Sequence, residues 1–383
     1  MKNSILKTSL NTVLSGLIAL PVLFISNTGY AENNTWLPEN DHVLVLSYQP
    51  NPKIAANEKT EVYSSNNWKK LEPVIQNLLI ESSLPGKSHL EQQARQLVFQ
   101  WANVVENDPT LLSSREASRL KLFKAQLLQK QHRFKEALLE LKGIKQNTHL
   151  YAQKILIESR IHHIQGQYDK ARQSCNQLLN QRLPLFAQLC LIETEALAGQ
   201  PEKTYKLLGD FKPQYAHSSQ EVLNWYHQVA GSIARILSKT FDAQQHFSFN
   251  LDQAPNSQWF QWADMALSNG NANLVLTKMK QLNNPDIELE DGLIIRMARA
   301  EKILGNNNEL QSLAKQRIEL RVKRNDRLHA ADIAYYYLHI DPQAEQALYW
   351  AEKNWQSVKE PADSELLMLA RQINQQGVTH EQH

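Results

Sequence analysis

A short pattern that recurs 34 residues further along the chain is the feature that most constrains the fold. Residues 134–137, F-K-E-A, reappear as residues 168–171, Y-D-K-A, so the aromatic residue and the alanine are both repeated at a spacing of 34. A repeated helix pair leaves an apolar face that only the next pair can cover. The period therefore predicts one continuous helical stack rather than a set of separate domains.

Small residues mark the turns and the close contacts of this stack. Glycine ends the first helix of several expected pairs, as at Gly166 and Gly270, because glycine accepts the positive φ that such a turn needs. Ala137 and Ala171 allow neighbouring helices to approach closely, and the adjacent aromatic residues fill the space beside them.

In residues 125–178 the period of 34 and the aromatic-x-x-Ala opening of each second helix resemble the tetratricopeptide repeat (TPR). The resemblance implies an all-α, TPR-like α-solenoid, which is a right-handed superhelix of antiparallel helix pairs. The chain also resembles exported bacterial TPR proteins with no assigned biochemical role, and this narrower resemblance implies no catalytic residues. It is carried by Q-H-R-F at 131–134 with Ala137 and Leu138, and by Q-G-Q-Y at 165–168 with Ala171, Cys175 and Cys190.

Apolar spacing predicts the helices one by one. One helix is expected to begin near Trp68 and to end before Pro85-Gly86, and a second is expected at about 89–106. Seven pairs and a final helix at 364–374 follow. The pairs are 115–130 with 134–144, 152–165 with 168–179, 185–198 with 202–208, a fourth around Gly231 and Phe247, a fifth opening at Trp259, 293–303 with 310–321, and 330–339 with 344–355.

The two ends of the chain differ from this repeat domain, which we place at 68–376. Residues 1–31 combine Lys2 and Lys7 with an apolar stretch too short to span a bilayer, which favours a signal peptide over a membrane anchor and predicts export to the periplasm. Residues 32–67 are rich in proline and asparagine and predict an irregular arm that could hold a short strand at 43–46. Residues 377–383 predict a disordered tail.

The sequence argues against most catalytic chemistries. Loss of the leader leaves 39 basic against 39 acidic residues, a balance that does not favour nucleic acid or an anionic membrane. Phosphate-binding glycine loops, nucleophile elbows and zinc-protease motifs are absent from the sequence. His162 and His163 are adjacent, so a helix directs them about 100° apart, which does not suit one metal ion. We expect no enzyme activity, no cofactor and no metal.

The groove lined by the first helices is the expected binding surface, because helical repeats hold extended peptides or partner domains there. Projection of the helix pattern puts nine residues on this concave face: Gln126, Arg160, His163, Glu193, Arg235, Asp264, Arg299, Lys302 and Tyr336. Basic residues outnumber acidic ones in this set, which favours an acidic or carboxylate-bearing ligand. His163 should face the groove, whereas Trp259, Phe260 and Trp262 are expected to be core rather than a ligand platform.

These features predict a non-catalytic protein–protein interaction scaffold or assembly helper in the bacterial cell envelope. The alternative is a glycan-binding or enzyme-like helical solenoid that acts on cell-envelope material. That alternative needs a cluster of carboxylates or a metal converging on the groove. Glu193 and Asp264, the two acids expected there, lie two repeats apart.

A disulfide between Cys175 and Cys190 is expected. They are the only cysteines of the chain, and the leader sends them to an oxidising compartment. Each lies on one of two consecutive antiparallel helices, nearly equidistant from the turn at about 181–184, so both stand at the same height. The alternative is a pair of free, buried thiols.

Overall fold

A computed structural model describes residues 67–145, 150–282, 288–305 and 308–380, without the side chains of Pro213 and of residues 377–380. The expected leader and the expected arm lie outside the described residues, apart from Asn67. The described residues form seventeen α-helices and four short 3-10 helices and hold no strand.

Seven helix pairs follow two leading helices and precede one final helix, as the sequence predicts. In chain order the helices are α1 Trp68–Glu81, α2 His89–Asn107, α3 Ser114–Lys130, α4 Phe134–Lys142, α5 Tyr151–Ile164, α6 Tyr168–Gln177, α7 Pro184–Leu197, α8 Pro201–Tyr215, α9 Gln220–Ile236, α10 Thr240–Phe247, α11 Asn256–Ser268, α12 Ala272–Lys280, α13 Asp291–Leu304, α14 Glu309–Lys323, α15 Ala330–His339, α16 Ala344–Trp355 and α17 Pro361–His380.

Consecutive helices pack against each other along the whole array. Some helices two positions apart also touch: α7 contacts α9, and α13 contacts α15. This pattern is that of an α-solenoid. Small residues permit the close contacts: Ala137 and Ala171 have no exposed surface. A Cβ atom added to Gly231 in α9 would lie 2.5 Å from a ring carbon of Phe247 in α10, so this crossing requires glycine.

The last helix corrects the predicted end of the fold. It was expected at 364–374 with a disordered tail from 377, but α17 begins at Pro361 and continues to His380. Proline suits the first position of a helix because its missing N–H is not needed there. Asp363 accepts a hydrogen bond from the Glu360 N–H at 3.0 Å and so stabilises this early start.

The predicted disulfide is confirmed. Cys175 in α6 and Cys190 in α7 are joined, with their Cα atoms 5.5 Å apart, and both side chains are fully buried. The bond fixes the second helix pair to the third in the part of the chain where the 34-residue repeat is clearest.

Each end of the stack contacts helix pairs that are distant from it in the chain. In the turn between α1 and α2, the N–H groups of Gly86 and Ser88 donate to the carboxylate of Glu290 at 2.8 and 3.1 Å, and the Ser83 carbonyl accepts from the Asn256 N–H at 2.8 Å. These bonds bring the start of the array to the first turns of α11 and α13.

At the other end, the chain before α17 crosses the concave face. The Lys359 N–H donates to the carbonyl of Ile164, the last residue of α5, at 2.7 Å. Val358 is buried beside Leu128 and Phe134 of the first pair. The concave side of the solenoid is therefore a partly enclosed chamber rather than an open groove.

Candidate functional site

The chamber has a volume of about 840 Å³ and lies on the concave side. Its wall is formed by the first helices of the second to seventh pairs, which are α5, α7, α9, α11, α13 and α15, and it is closed on one side by α17. Successive first helices each contribute a polar side chain because they repeat the same orientation along the stack.

Six of the nine residues projected onto the concave face line this chamber together: Arg160, His163, Glu193, Arg235, Asp264 and Arg299. The other three are elsewhere. Gln126 is half-buried on α3 and is not part of the chamber wall. The Lys302 ammonium group donates to the carbonyls of His339 and Ile340 at the end of α15, at 3.2 and 2.9 Å.

Tyr336 is a correction to the projected face. It is only 3% exposed and belongs to the main hydrophobic core, whereas the preceding residue, Tyr335, lines the chamber. The cause is the composition of α15: Ile333 and Ala334 are both fully buried, so the helix is apolar on several sides. Its sequence pattern therefore does not identify one inner face.

The prediction that basic residues outnumber acidic ones in the groove is wrong for the chamber. Its wall carries four arginines, of which Arg296 was not predicted, but it also carries six carboxylates. The additional acids are Asp332 on α15 and Glu360, Asp363 and Glu365 of the C-terminal segment. The sequence projection missed Asp332 although α15 is a first helix, and it could not include the three acids of the C-terminal segment, because it counted only first helices.

At one end of the chamber, Arg160 is held between two acids. It is hydrogen-bonded to Glu360, and its Nη1 lies 3.8 Å from Oε1 of Glu193. Glu193 also accepts a hydrogen bond from the indole N–H of Trp225 at 3.3 Å. Glu193 is thus committed to two partners.

His163 lies beside this group and connects the chamber to the disulfide. The hydroxyl of Thr194 donates to the Cys190 carbonyl at 2.7 Å, so it accepts from Nε2 of His163, also at 2.7 Å. Burial lowers the pKa of His163. We assign the neutral Nε2–H form to this histidine.

The centre of the chamber holds a buried ion-pair network. Asp264 accepts from Nη2 of Arg296 at 3.0 Å and lies 3.7 Å from Nη1 of Arg235. Burial alone raises the pKa of Asp264, but the two guanidinium groups lower it below its ordinary value. The guanidinium of Arg296 lies between the rings of Phe260 and Tyr335, 4.6 and 4.7 Å from their centroids.

The aromatic cluster on α11 divides between core and chamber. Trp259 and Trp262 are almost fully buried, as expected for core residues, while Phe260 faces the chamber. Its ring is accommodated by Gly292, where a Cβ atom would lie 2.6 Å from the ring.

Arg235 joins the central network to the C-terminal helix. Its Nε and Nη2 donate to the two carboxylate oxygens of Glu365 at 3.0 and 2.8 Å. This is the two-point geometry in which a guanidinium binds a carboxylate most strongly. Arg235 and Glu365 are 130 residues apart in the chain.

Near the start of α17, Asp363 is half-buried. Asn354 donates to it at 2.6 Å, and burial together with the nearby Glu360 raises its pKa to about 7.

On the opposite wall, Arg299 donates to the hydroxyl of Tyr335 at 2.8 Å. Burial and Arg299 lower the pKa of the adjacent His339 to about 3.

The arrangement is suited to recognition of charged groups. Glu193 and Asp264 are each held by arginine, so the pair does not provide the free acid and base that proton transfer needs. Across the described ranges, no group of three or more histidine, cysteine, aspartate or glutamate side chains is placed to hold a metal ion. Among the same residues, no helix has the length and apolar character needed to cross a membrane.

No family model and no curated protein matches this sequence. The fold and the chamber are therefore interpreted from the residues themselves.

Proposed function

We propose that this chain is an exported α-solenoid of the TPR class that acts as a non-catalytic protein–protein interaction scaffold or assembly helper in the bacterial cell envelope. Its partner is bound on the concave face. The observation that carries the proposal is the chamber, into which six successive first helices direct charged and polar side chains.

The repeat class is supported by the packing of the repeated residues. Phe134 and Tyr168 occupy equivalent places at the start of second helices, as do Ala137 and Ala171. Phe134 and both alanines are buried, and Tyr168 is half-buried. The cellular address is supported by the Cys175–Cys190 disulfide, because such bonds persist mainly in oxidising compartments.

Arg299 is the residue through which we test the scaffold proposal. Its Nη1 donates only to the neutral hydroxyl of Tyr335, and it forms no ion pair among the described residues. We expect Arg299→Glu to reduce capture of a specific envelope protein by at least about tenfold, because it reverses a charge on the wall of the chamber that binds the partner.

The control is Arg324→Glu, which makes the same charge change at an exposed position outside the chamber. Affinity capture from envelope extracts, followed by quantitative mass spectrometry, compares the two variants with the wild type. Equal recovery of every captured protein with Arg299→Glu and Arg324→Glu contradicts binding on the concave face.

The glycan-binding alternative is favoured by one observation, the size and lining of the chamber. A volume of about 840 Å³ lies within the range of small-molecule sites, roughly 300–1,000 Å³. Trp225, Phe260 and Tyr335 give it aromatic surfaces, which sugars can contact. Titration with soluble peptidoglycan fragments, monitored by calorimetry, distinguishes the two: saturable binding that Arg299→Glu removes supports the alternative.

A further inference from the structure

The segment that crosses the concave face, residues 357–365, is attached mainly through charged groups. Its Glu360 is bound by Arg160 and its Glu365 by Arg235. One backbone bond, from the Lys359 N–H to the Ile164 carbonyl, and the buried Val358 complete the attachment to the earlier pairs. We call residues 357–365 the acidic crossing segment.

The carboxylates of both ion pairs in this segment are more accessible to water than Asp264 of the central network. The side chains of Arg160 and Glu360 are 43% and 34% exposed; in the other pair Glu365 is 40% exposed, while Arg235 is 7% exposed. By contrast, Asp264 and Arg296 are 8% and 9% exposed. Solvated ion pairs exchange partners readily, because water and other ions compensate each charge during the exchange.

The two arginines are well placed to accept other carboxylates. They lie on α5 and α9, two repeats apart, and both helices are held by neighbouring helices of the stack, although α9 also contacts α17. Glu365 can leave Arg235 by rotation of its side chain, since α17 itself is anchored elsewhere through Leu367 and Ala370. Such an exchange leaves the solenoid intact.

We propose that the acidic crossing segment is an internal substitute for the partner, and that the partner presents an acidic protein segment whose carboxylates replace Glu360 and Glu365 at Arg160 and Arg235. The inference rests on the proposed function and names the chemistry of the partner at that site. It explains why the concave face of the isolated chain is already covered by carboxylates of its own.

The test uses the full chain and a peptide with the sequence of residues 357–371, S-V-K-E-P-A-D-S-E-L-L-M-L-A-R, labelled for fluorescence anisotropy. In the wild type, the tethered segment competes with the peptide at a high effective concentration. The double variant Glu360→Gln, Glu365→Gln weakens the tethered competitor, so we expect it to bind the peptide about tenfold or more tightly than the wild type does.

Two controls fix the interpretation. A peptide in which both glutamates are replaced by glutamine should not bind the double variant, and Arg235→Gln added to that variant should abolish binding of the acidic peptide. Circular dichroism verifies that each variant keeps its helices. Equal peptide affinity of the wild type and the double variant overturns the inference, as does equal binding of the peptide in which both glutamates are replaced.

A second measurement needs no substitution. In the wild type, excess acidic peptide should increase amide hydrogen exchange of residues 357–365 and leave exchange in α12 and α13 unchanged. Unchanged exchange in the segment at saturating peptide also overturns the inference. If the peptide fails in both experiments while Arg299→Glu still abolishes partner capture, the scaffold proposal stands and only the identity of the partner as an acidic segment is wrong.

Discussion

Single residues in this protein join separate helix pairs of the stack, and the disulfide is the simplest case. Cys175 and Cys190 are 15 positions apart, and a loop of that length restricts the unfolded chain enough to stabilise the fold by about 3 kcal/mol. We expect Cys175→Ala, Cys190→Ala to lower the free energy of unfolding by about this amount.

Urea unfolding followed by circular dichroism compares the double variant with the oxidised wild type. The wild type under reducing conditions is the matched control, because it also lacks the bond. Both samples should keep the full helical signal before the transition. If the unfolding midpoint of the double variant equals that of the oxidised wild type, the bond contributes nothing beyond the packing of α6 and α7.

Asp363 gives the stability of the protein a defined dependence on pH. Its folded pKa is raised to about 7 by burial and by Glu360, so between the ordinary aspartate value and about 7 the folded state holds a proton that the unfolded state has lost. The free energy of unfolding therefore falls as pH rises through this window. Arg235 and Asn354, which also face this carboxyl, reduce the effect without reversing it.

We expect Asp363→Asn to gain stability relative to the wild type between about pH 5 and pH 8, because the variant has no proton to lose there. Urea unfolding at several pH values measures the difference in the free energy of unfolding between the variant and the wild type. The titration of the histidines cancels in this difference, because both proteins contain them. Ser364→Ala, an exposed neighbouring change without an ionisable group, should give a difference that does not vary with pH. If the difference for Asp363→Asn also stays constant with pH, the raised pKa of Asp363 is contradicted.

At the scale of elements, α17 has two roles that can be separated. Leu367 and Ala370 cover the last pair, and terminal repeats need such a cap. Each buried leucine contributes about 1.5–3 kcal/mol. Deletion of residues 361–383 should therefore destabilise α15 and α16 and increase binding of a hydrophobic dye.

Deletion of residues 377–383 alone should leave the melting curve unchanged, because the capping contacts named above lie before this point. Differential scanning calorimetry compares the two truncated chains. Identical curves for the longer deletion and the full chain would mean that the array is complete without its last helix.

The helices and their pairing could be predicted because they depend on local patterns. The 34-residue period located the turns, and the bounds 330–339 and 344–355 agree with α15 and α16. The same spacing placed Arg160, Arg235 and Asp264 together on the inner side, and the height of two cysteines above one turn predicted their bond.

The closure of the chamber could not be predicted in this way. It depends on the sum of small rotations between successive pairs, and no short pattern records that sum. Arg296 was missed for a related reason: it stands in the apolar run G-L-I-I-R-M-A, which reads as core, and only the structure shows that Asp264, Phe260 and Tyr335 surround its charge.

At the scale of the whole molecule, Glu290 holds the first turn of the array to its sixth pair. Its carboxylate accepts two backbone N–H groups, and hydrogen bonds to charged groups each contribute about 1.5–3 kcal/mol when protected from water. Glu290→Ala should lower the free energy of unfolding by about 1–2 kcal/mol, since the site is partly exposed. Amide hydrogen exchange at residues 82–90 should rise with it.

Glu288→Ala is the matched control. It removes a carboxylate two positions away that is 83% exposed and whose one ion pair within the described ranges is with Arg317. Its exchange at residues 82–90 should equal that of the wild type. Equal exchange in both variants would show that the turn between α1 and α2 is held without Glu290.

The contact between this turn and Glu290 also determines how the molecule responds to load. An open stack of helix pairs stretches like a spring, because each pair yields slightly to its neighbour. Here Gly86 and Glu290 are bonded across 204 positions of the chain, so elongation must first break that bond. We therefore expect the array to resist extension while this hydrogen bond is intact and to extend readily only after the bond has broken.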